Sequence, residues 1–279
     1  MDEKVSVVKC KSYNHKEVRK ALEDSLRNIN FEFKKRGKVL IKPNVLMPCK
    51  VEEAVTTHPV MLEELCKILK REGCSIIIGE SGGQRTDEGF KKCGILKLKK
   101  YAQIVNFEGV DKKKVFINNS FTNVPLPKLL FEVDLVIDFC KMKTHSLTSV
   151  TLAVKNLYGC IPGNVKSSYH LIARSLNKFS HLLVGLNEKI KPQLNICDGV
   201  IGMEGDGPGP AGTPIKTGVI VMSRNSFALD IVASEIMGFN RREILTNKIA
   251  LKKKLVSEDI EIVGNGKNIN KKYDRHHGQ

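Results

Sequence analysis

Short aliphatic runs alternate with stretches whose apolar residues recur at helical spacing, and this rhythm repeats along most of the chain. The runs at 5–9, 39–41, 76–78, 135–137, 194–196 and 219–221 read as buried strands, because near-continuous Val, Ile and Leu suit strands covered on both faces. Val18, Leu22, Leu26 and Ile29 share one helical face, and Asn14 with Glu17 supplies the start of that helix. Met61, Leu62, Leu65, Ile68 and Leu69 predict a second helix over 59–71, closed by Gly73. Thr86 is expected to cap a short helix ending at Gly94, and Ser226 one that carries Leu229, Val232 and Ile236 and stops at Gly238. Helices are also predicted over 149–157 and from about 168, the latter burying Leu171, Ile172, Leu176, Phe179, Leu182, Leu183 and Leu186. Residues 95–133 are less regular and predict two or three short strands. Together these elements predict an α/β fold: a mostly parallel sheet with helices on both faces and some antiparallel strands in the middle region. Residues 1–264 read as a single α/β domain, and 265–279, almost without apolar residues, as a disordered polar tail.

Composition narrows the class. The chain has 279 residues, 41% of them hydrophobic, so it can bury a substantial core. No apolar run approaches the roughly 18 residues of a membrane helix. The acidic first residues do not resemble a secretion leader, so no membrane partner and a cytoplasmic location are expected. None of the eight cysteines forms a C-x-x-C pair. Their spacing does not support a local iron–sulfur cluster or zinc site, and free buried thiols are expected, with a cluster of distant cysteines as the alternative. A net charge of +16 points to a partner with phosphates or carboxylates, or to solvated lysine faces. There is no Trp, and the basic groups are not interleaved with aromatics, so nucleic acid is the lesser expectation.

The candidate chemistry lies at the predicted strand ends, where ligands bind in open α/β sheets. Lys42, followed by Pro43 and Asn44, can bind an anion or polarise a carbonyl, or can snorkel to the surface. Thr57 and His58 stand at a helix start, whose dipole attracts anions and would keep His58 neutral as a general base; simple capping by Thr57 is the alternative. Gly79, Glu80, Ser81, Gly82 and Gly83 match neither common nucleotide-binding pattern, so Glu80 and Ser81 are better candidates than the glycines. The densest segment follows Asp138 and holds Lys141, Lys143, Thr144, His145, Thr151, Lys155 and Asn156. Lysines this close repel, which favours a lowered pKa suited to proton transfer; a basic surface loop is the alternative. In a helix, Thr151 and Lys155 would share one face. Asp198 opens a glycine-rich stretch with Gly199, Glu204, Gly205, Asp206 and Gly207. That stretch suits a close-approach ligand loop, a flexible turn, or a metal held by Asp198, Glu204 and Asp206, although the spacing is not that of an EF-hand. His170 reads as a helix-start residue or a ligand contact, and His276 and His277 lie in the tail.

The strand end at 39–44, Thr57-His58-Pro59, Gly79-Glu80-Ser81, Lys141-Met142-Lys143-Thr144-His145, 151–159 and 198–212 resemble, in this order, the domain of unknown function 362 family over residues 5–240. The Lys141–His145 and Asp198–Pro208 pieces are specific only together. Many members of that family carry a ferredoxin-like domain with two four-iron clusters, and the cysteine spacing here departs from that pattern. The resemblance therefore implies either electrons from a separate ferredoxin-like protein or non-redox chemistry. A looser similarity to the lactate racemase catalytic domain lies in the strand-end His and Lys arrangement.

Three functions are compatible with this reading. The first is an enzyme, an oxidoreductase or a proton-transfer isomerase or lyase, acting on a small anionic metabolite. There Lys42, Lys143 and Lys155 hold the anion, His145 or His58 moves a proton, and Glu80 or Asp198 orients it. The second is a non-catalytic ligand or cofactor module, and the third a charge-driven nucleic-acid binder. The cofactor, and whether any metal is held, are left open by the sequence.

Overall fold

The computed structural model describes residues 3–83, 85–163, 165–173 and 175–275, without the side chains of Ser167, His170 and Leu171. The elements in chain order are β1 (Lys4–Lys9), α1 (His15–Asn28), β2 (Lys38–Pro43), α2 (Pro59–Arg71), β3 (Ser75–Glu80), α3 (Thr86–Lys92), β4 (Gln103–Asn106), β5 (Lys112–Val115) and β6 (Val124–Pro127). They continue with β7 (Leu135–His145), β8 (Ser149–Thr151), α4 (Ala153–Asn156), α5 (Val165–Ala173), α6 (Leu176–Ile190), β9 (Leu194–Gly205), β10 (Gly212–Ser223), α7 (Ser226–Ile236), α8 (Leu245–Lys252) and β11 (Glu261–Val263).

The main sheet runs β11-β1-β10-β9-β7-β2-β3-β4, with β8 folded back on the end of β7. Every pairing along this path is parallel except the two made by β10. β5 and β6 form a separate antiparallel pair in the middle of the chain, as the irregular pattern there predicted. Side chains alternate across each strand and fill two cores. Val39, Ile41, Ile137 and Phe139 pack with Leu22, Leu65 and Phe90 of α1, α2 and α3. Leu40, Val136, Cys140 and Met142 pack with Val154, Leu183 and Leu229 of α4, α6 and α7. The sheet is thus covered on both faces, as predicted.

From β2 the chain moves outward to β3 and β4, then returns through β7 on the other side of β2. Strand order therefore reverses between β7 and β2, which opens a crevice beyond their carboxyl ends.

Several local expectations are corrected. The strands predicted to stop at Asp138 and Asp198 continue as β7 and β9 to His145 and Gly205. Polar residues end a buried strand only when they lack partners, and here Lys141 and Asp198 are opposite one another in register and neutralise each other. The predicted helix over 149–157 begins instead as β8, whose β-branched Val150 and Thr151 pair with β7, and α4 is a single turn. Thr151 and Lys155 therefore share no helix face. The helix expected from about 168 is two helices, α5 and α6, and Ile172 and Leu176 are exposed; Leu171 lies outside the described side chains. Thr86 and Ser226 are first helical residues rather than caps, and Asn225 caps α7.

The polar segment from Asn265 lies against the domain as far as Arg275. Lys9 N donates to Asn265 Oδ1 at 2.8 Å and Gly266 N to Val7 O at 2.9 Å. Tyr273 is 5% exposed, packs against Gly202 and hydrogen-bonds Thr217. Main-chain bonds and one aromatic anchor hold it, a device that an apolar count does not see. Residues 276–279, with His276 and His277, lie outside the described residues. Tyr273→Phe, which leaves Thr217 without this partner, is expected to lower stability by about 1 kcal/mol in urea denaturation. An unchanged midpoint would show that the ring alone anchors the segment.

Candidate anion-binding site

At the β7/β2 crevice lies a pocket of about 230 Å3, lined by Lys42, Asn44, Glu80, Ser81, Lys143, His145, Thr151, Lys155, Asn156 and Lys166 together with Tyr158, Gly159 and Pro208. Its floor is a buried polar hub. Lys42 Nζ donates to Glu80 Oε2 at 2.6 Å, Asn156 Oδ1 at 3.0 Å and Pro43 O at 2.8 Å. Glu80 also accepts from Val45 N at 3.1 Å and Ser81 N at 2.9 Å. Asn156 Nδ2 donates to Asp138 Oδ1 at 2.5 Å, and Asn44 Nδ2 donates to Asn156 Oδ1 at 2.9 Å. Asp138 is fully buried behind the hub, and desolvation pushes its pKa up to about 8, although Lys42 and Asn156 pull it down. Gly159 is required here: a Cβ would stand 2.2 Å from Glu80 Oε1 and 2.5 Å from Lys42 Nζ.

The remaining three lysines differ from Lys42. Lys143 Nζ donates only to main-chain oxygens, Val55 O at 2.7 Å and Pro208 O at 3.2 Å. Lys166 donates to Ser81 O and to Gly82 O. Half-buried Lys155 has no hydrogen-bond or ion-pair partner among the described residues. Burial, reinforced by repulsion from Lys155, lowers Lys143 to about 7. Burial also lowers Lys155 and Lys166 to about 8, and each is repelled by Lys42. Among the described residues the one carboxylate in the wall, Glu80, is already committed to Lys42 and two main-chain amides.

His145 lines the pocket, and its Nδ1 accepts from Leu147 N at 3.0 Å and Thr148 N at 3.4 Å, so the neutral ring carries its proton on Nε2. Ser81 Oγ accepts from Gly163 N at 2.9 Å. Thr57 is a latch under the pocket: its Oγ1 accepts from Asn44 N and donates to Phe139 O at 2.7 Å.

Other residues expected at this site stand elsewhere. Lys141 and Asp198 pair at 2.9 Å on the α1/α2 face of the sheet, where Tyr13 Oη donates to Asp198 at 2.9 Å and His58 N at 3.0 Å. His58 stacks on Tyr13 with centroids 3.6 Å apart, and its Nδ1 caps α2 by accepting from Val60 N. Its pKa falls to about 4, chiefly through burial rather than the helix dipole. None of these four residues lines the pocket. Thr144 Oγ1 donates to Gly205 O at 2.9 Å, Glu204 accepts from Asp274 N, and Gly199 lies inside β9. Gly207 closes on Thr144, where a Cβ would stand 2.5 Å from Thr144 O, and so carries Pro208 to the pocket wall. The side chain of His170 lies outside those described.

Asp198 and Glu204 are thus committed to protein partners, and among the described residues no three His, Cys, Asp or Glu side chains gather as a metal ion requires. All eight cysteines are buried and free, and no three of them gather, so they do not fit an iron–sulfur cluster. Lys166 and Gly159 went unnoticed in the sequence. A lysine in a helix carries no signal of its direction, and the need for glycine at 159 exists only once Lys42 and Glu80 meet.

A family model described as "Domain of unknown function (DUF362)" matches residues 39–235. The "Thylakoid-associated protein sll1697" of Synechocystis sp. (strain ATCC 27184 / PCC 6803 / Kazusa) is 30% identical over 251 residues, which cover 88% of this chain and 78% of that protein. Among solved structures, the lactate racemase apoprotein from Thermoanaerobacterium thermosaccharolyticum superposes with a TM-score of 0.50 at 14% identity over 85% of this chain. The chain spans 57% of that structure's length, and the likeness is one of fold. No helix among the described residues is long and apolar enough to cross a membrane.

Proposed function

The chain belongs to the Domain of unknown function (DUF362) family, and from that premise we propose that its lysine pocket binds a small anionic carboxylate or phosphate and moves a proton on it. One observation carries this reading: Lys143, Lys155 and Lys166 converge on one pocket, and none has a carboxylate partner among the described residues. Buried like charges destabilise one another unless an anion enters, so the site favours a negative guest. Lys143 is the proton carrier, because a group with a pKa of about 7 both takes and gives a proton near neutrality. Lys155 and Lys166 hold the anion. Glu80 and Asn156 keep Lys42 in the floor of the pocket rather than acting on the ligand.

Thermal-shift screening of carboxylates and phosphates at low ionic strength tests the binding. Stabilisation by anions that vanishes in Lys155→Ala is the expected result. Screening without any shift would defeat the proposal. Turnover of a stabilising anion separates an enzyme from a carrier using the same pocket.

A pH dependence follows. Below about pH 7 all three lysines are protonated, and raising the pH through about 7 and 8 removes these charges. Anion affinity should therefore fall between about pH 6 and 9. A bound anion raises the lysine pKa values, so binding near pH 7.5 should take up protons, seen as a buffer-dependent heat in calorimetry. A heat independent of the buffer would contradict the assignment.

A further inference from the structure

Two residues that line the pocket carry polar atoms that the fold leaves unused. Thr151 is 4% exposed and Asn44 9%, and Thr151 Oγ1 and Asn44 Oδ1 are buried without a hydrogen-bond partner among the described residues. Both residues line the pocket with the lysines. The orientation of Asn44 is fixed by its neighbours. The Lys42 ammonium requires the oxygen of Asn156, so Asn44 must turn its Nδ2 toward that oxygen, and its own Oδ1 is left as an acceptor. An acceptor in that position is satisfied only by a donor, and a buried unpaired polar atom is costly to leave unmade.

Charge sets the other requirement. The wall carries Lys42, Lys143, Lys155 and Lys166 against Glu80, with Asp138 held protonated near neutrality behind the floor. A single negative charge leaves part of this excess uncompensated. The volume, about 230 Å3, holds roughly seven or eight water-sized groups.

Resting on the anion-pocket reading above, we infer that the ligand is a small hydroxylated polyanion: at least two negative charges for Lys143, Lys155 and Lys166, and a hydroxyl for the unused Asn44 Oδ1 or Thr151 Oγ1. A phosphate monoester and a dicarboxylate both meet this description, and the probes below separate them.

Calorimetry on the full chain at about pH 7 and low salt uses acetate, succinate, malate and glycerol 3-phosphate. Succinate should bind about tenfold or more tightly than acetate, the size of one added charge-assisted hydrogen bond. Malate should exceed succinate by about fivefold through its hydroxyl. Whichever of malate and glycerol 3-phosphate binds more tightly identifies the anionic group. Thr151→Val keeps the shape and β-branching of the side chain. Its Oγ1 bonds nothing among the described residues, so the variant should fold normally and lose about half or more of the preference for malate over succinate. Equal affinity for acetate and succinate, or for succinate and malate, overturns the inference while leaving an anion pocket in place. A malate preference that survives Thr151→Val and Asn44→Ala also overturns it. Binding of none of the four defeats the anion-pocket reading itself.

Discussion

Replacing Lys42 with methionine should lower folding stability by about 3–5 kcal/mol, the size expected when one partner of a buried ion pair is removed. Lys42 is 0% exposed and its Nζ serves three acceptors, so the loss strands the Glu80 carboxylate and breaks the ammonium bridge between Asn156 Oδ1 and Pro43 O. It also removes the positive charge that lowers the Asp138 pKa, so Asp138 moves further above about 8. Urea denaturation measures the effect. Adding Glu80→Gln removes the stranded charge and keeps one carbonyl acceptor, for either Val45 N or Ser81 N, which the carboxylate serves through different oxygens, and should restore about half of the loss. A loss under about 1 kcal/mol in the single variant would show that the hub is not holding β2, β3 and α4 together.

Lys143→Met should instead weaken binding and spare the fold. At about pH 6, where Lys143 is protonated, anion affinity should fall by about 10- to 100-fold, the loss of one or two charge-assisted hydrogen bonds. Stability should stay within about 1 kcal/mol of the parent, because the thioether fills the buried channel and removes an unpaired ammonium, offsetting the two hydrogen bonds lost by Val55 O and Pro208 O. Above about pH 8 the parent itself loses this charge, so parent and variant should converge. Unchanged affinity at low pH would remove Lys143 from the site. A loss of stability in the first substitution and of anion affinity in the second separates a lysine that holds the fold from one that waits for a ligand.

Both lysines follow an aliphatic run at a strand end, and in the sequence they look alike. Their difference lies in acceptors contributed from distant segments: Glu80 and Asn156 for Lys42, Val55 and Pro208 for Lys143. The same holds for Lys141, two residues from Lys143, which is neutralised by Asp198 on the α1/α2 face.

The sequence by itself determined the α/β layering, because alternating strand and helix periods follow from local burial: 59–71 is helical as predicted, and 76–78 lies inside β3. It also placed lysines, carboxylates and glycines at predicted strand ends, which a parallel sheet brings to one edge. Only the tertiary structure decided where β7 and β9 stop, because the partner that makes Lys141 tolerable in a strand is Asp198, 57 residues away. The tertiary structure alone also divided the polar strand-end residues between a pocket and a buried structural pair, and brought in Lys166 from α5. Long-range pairing sets the fate of a buried charge, and a chain read one window at a time does not contain the partner.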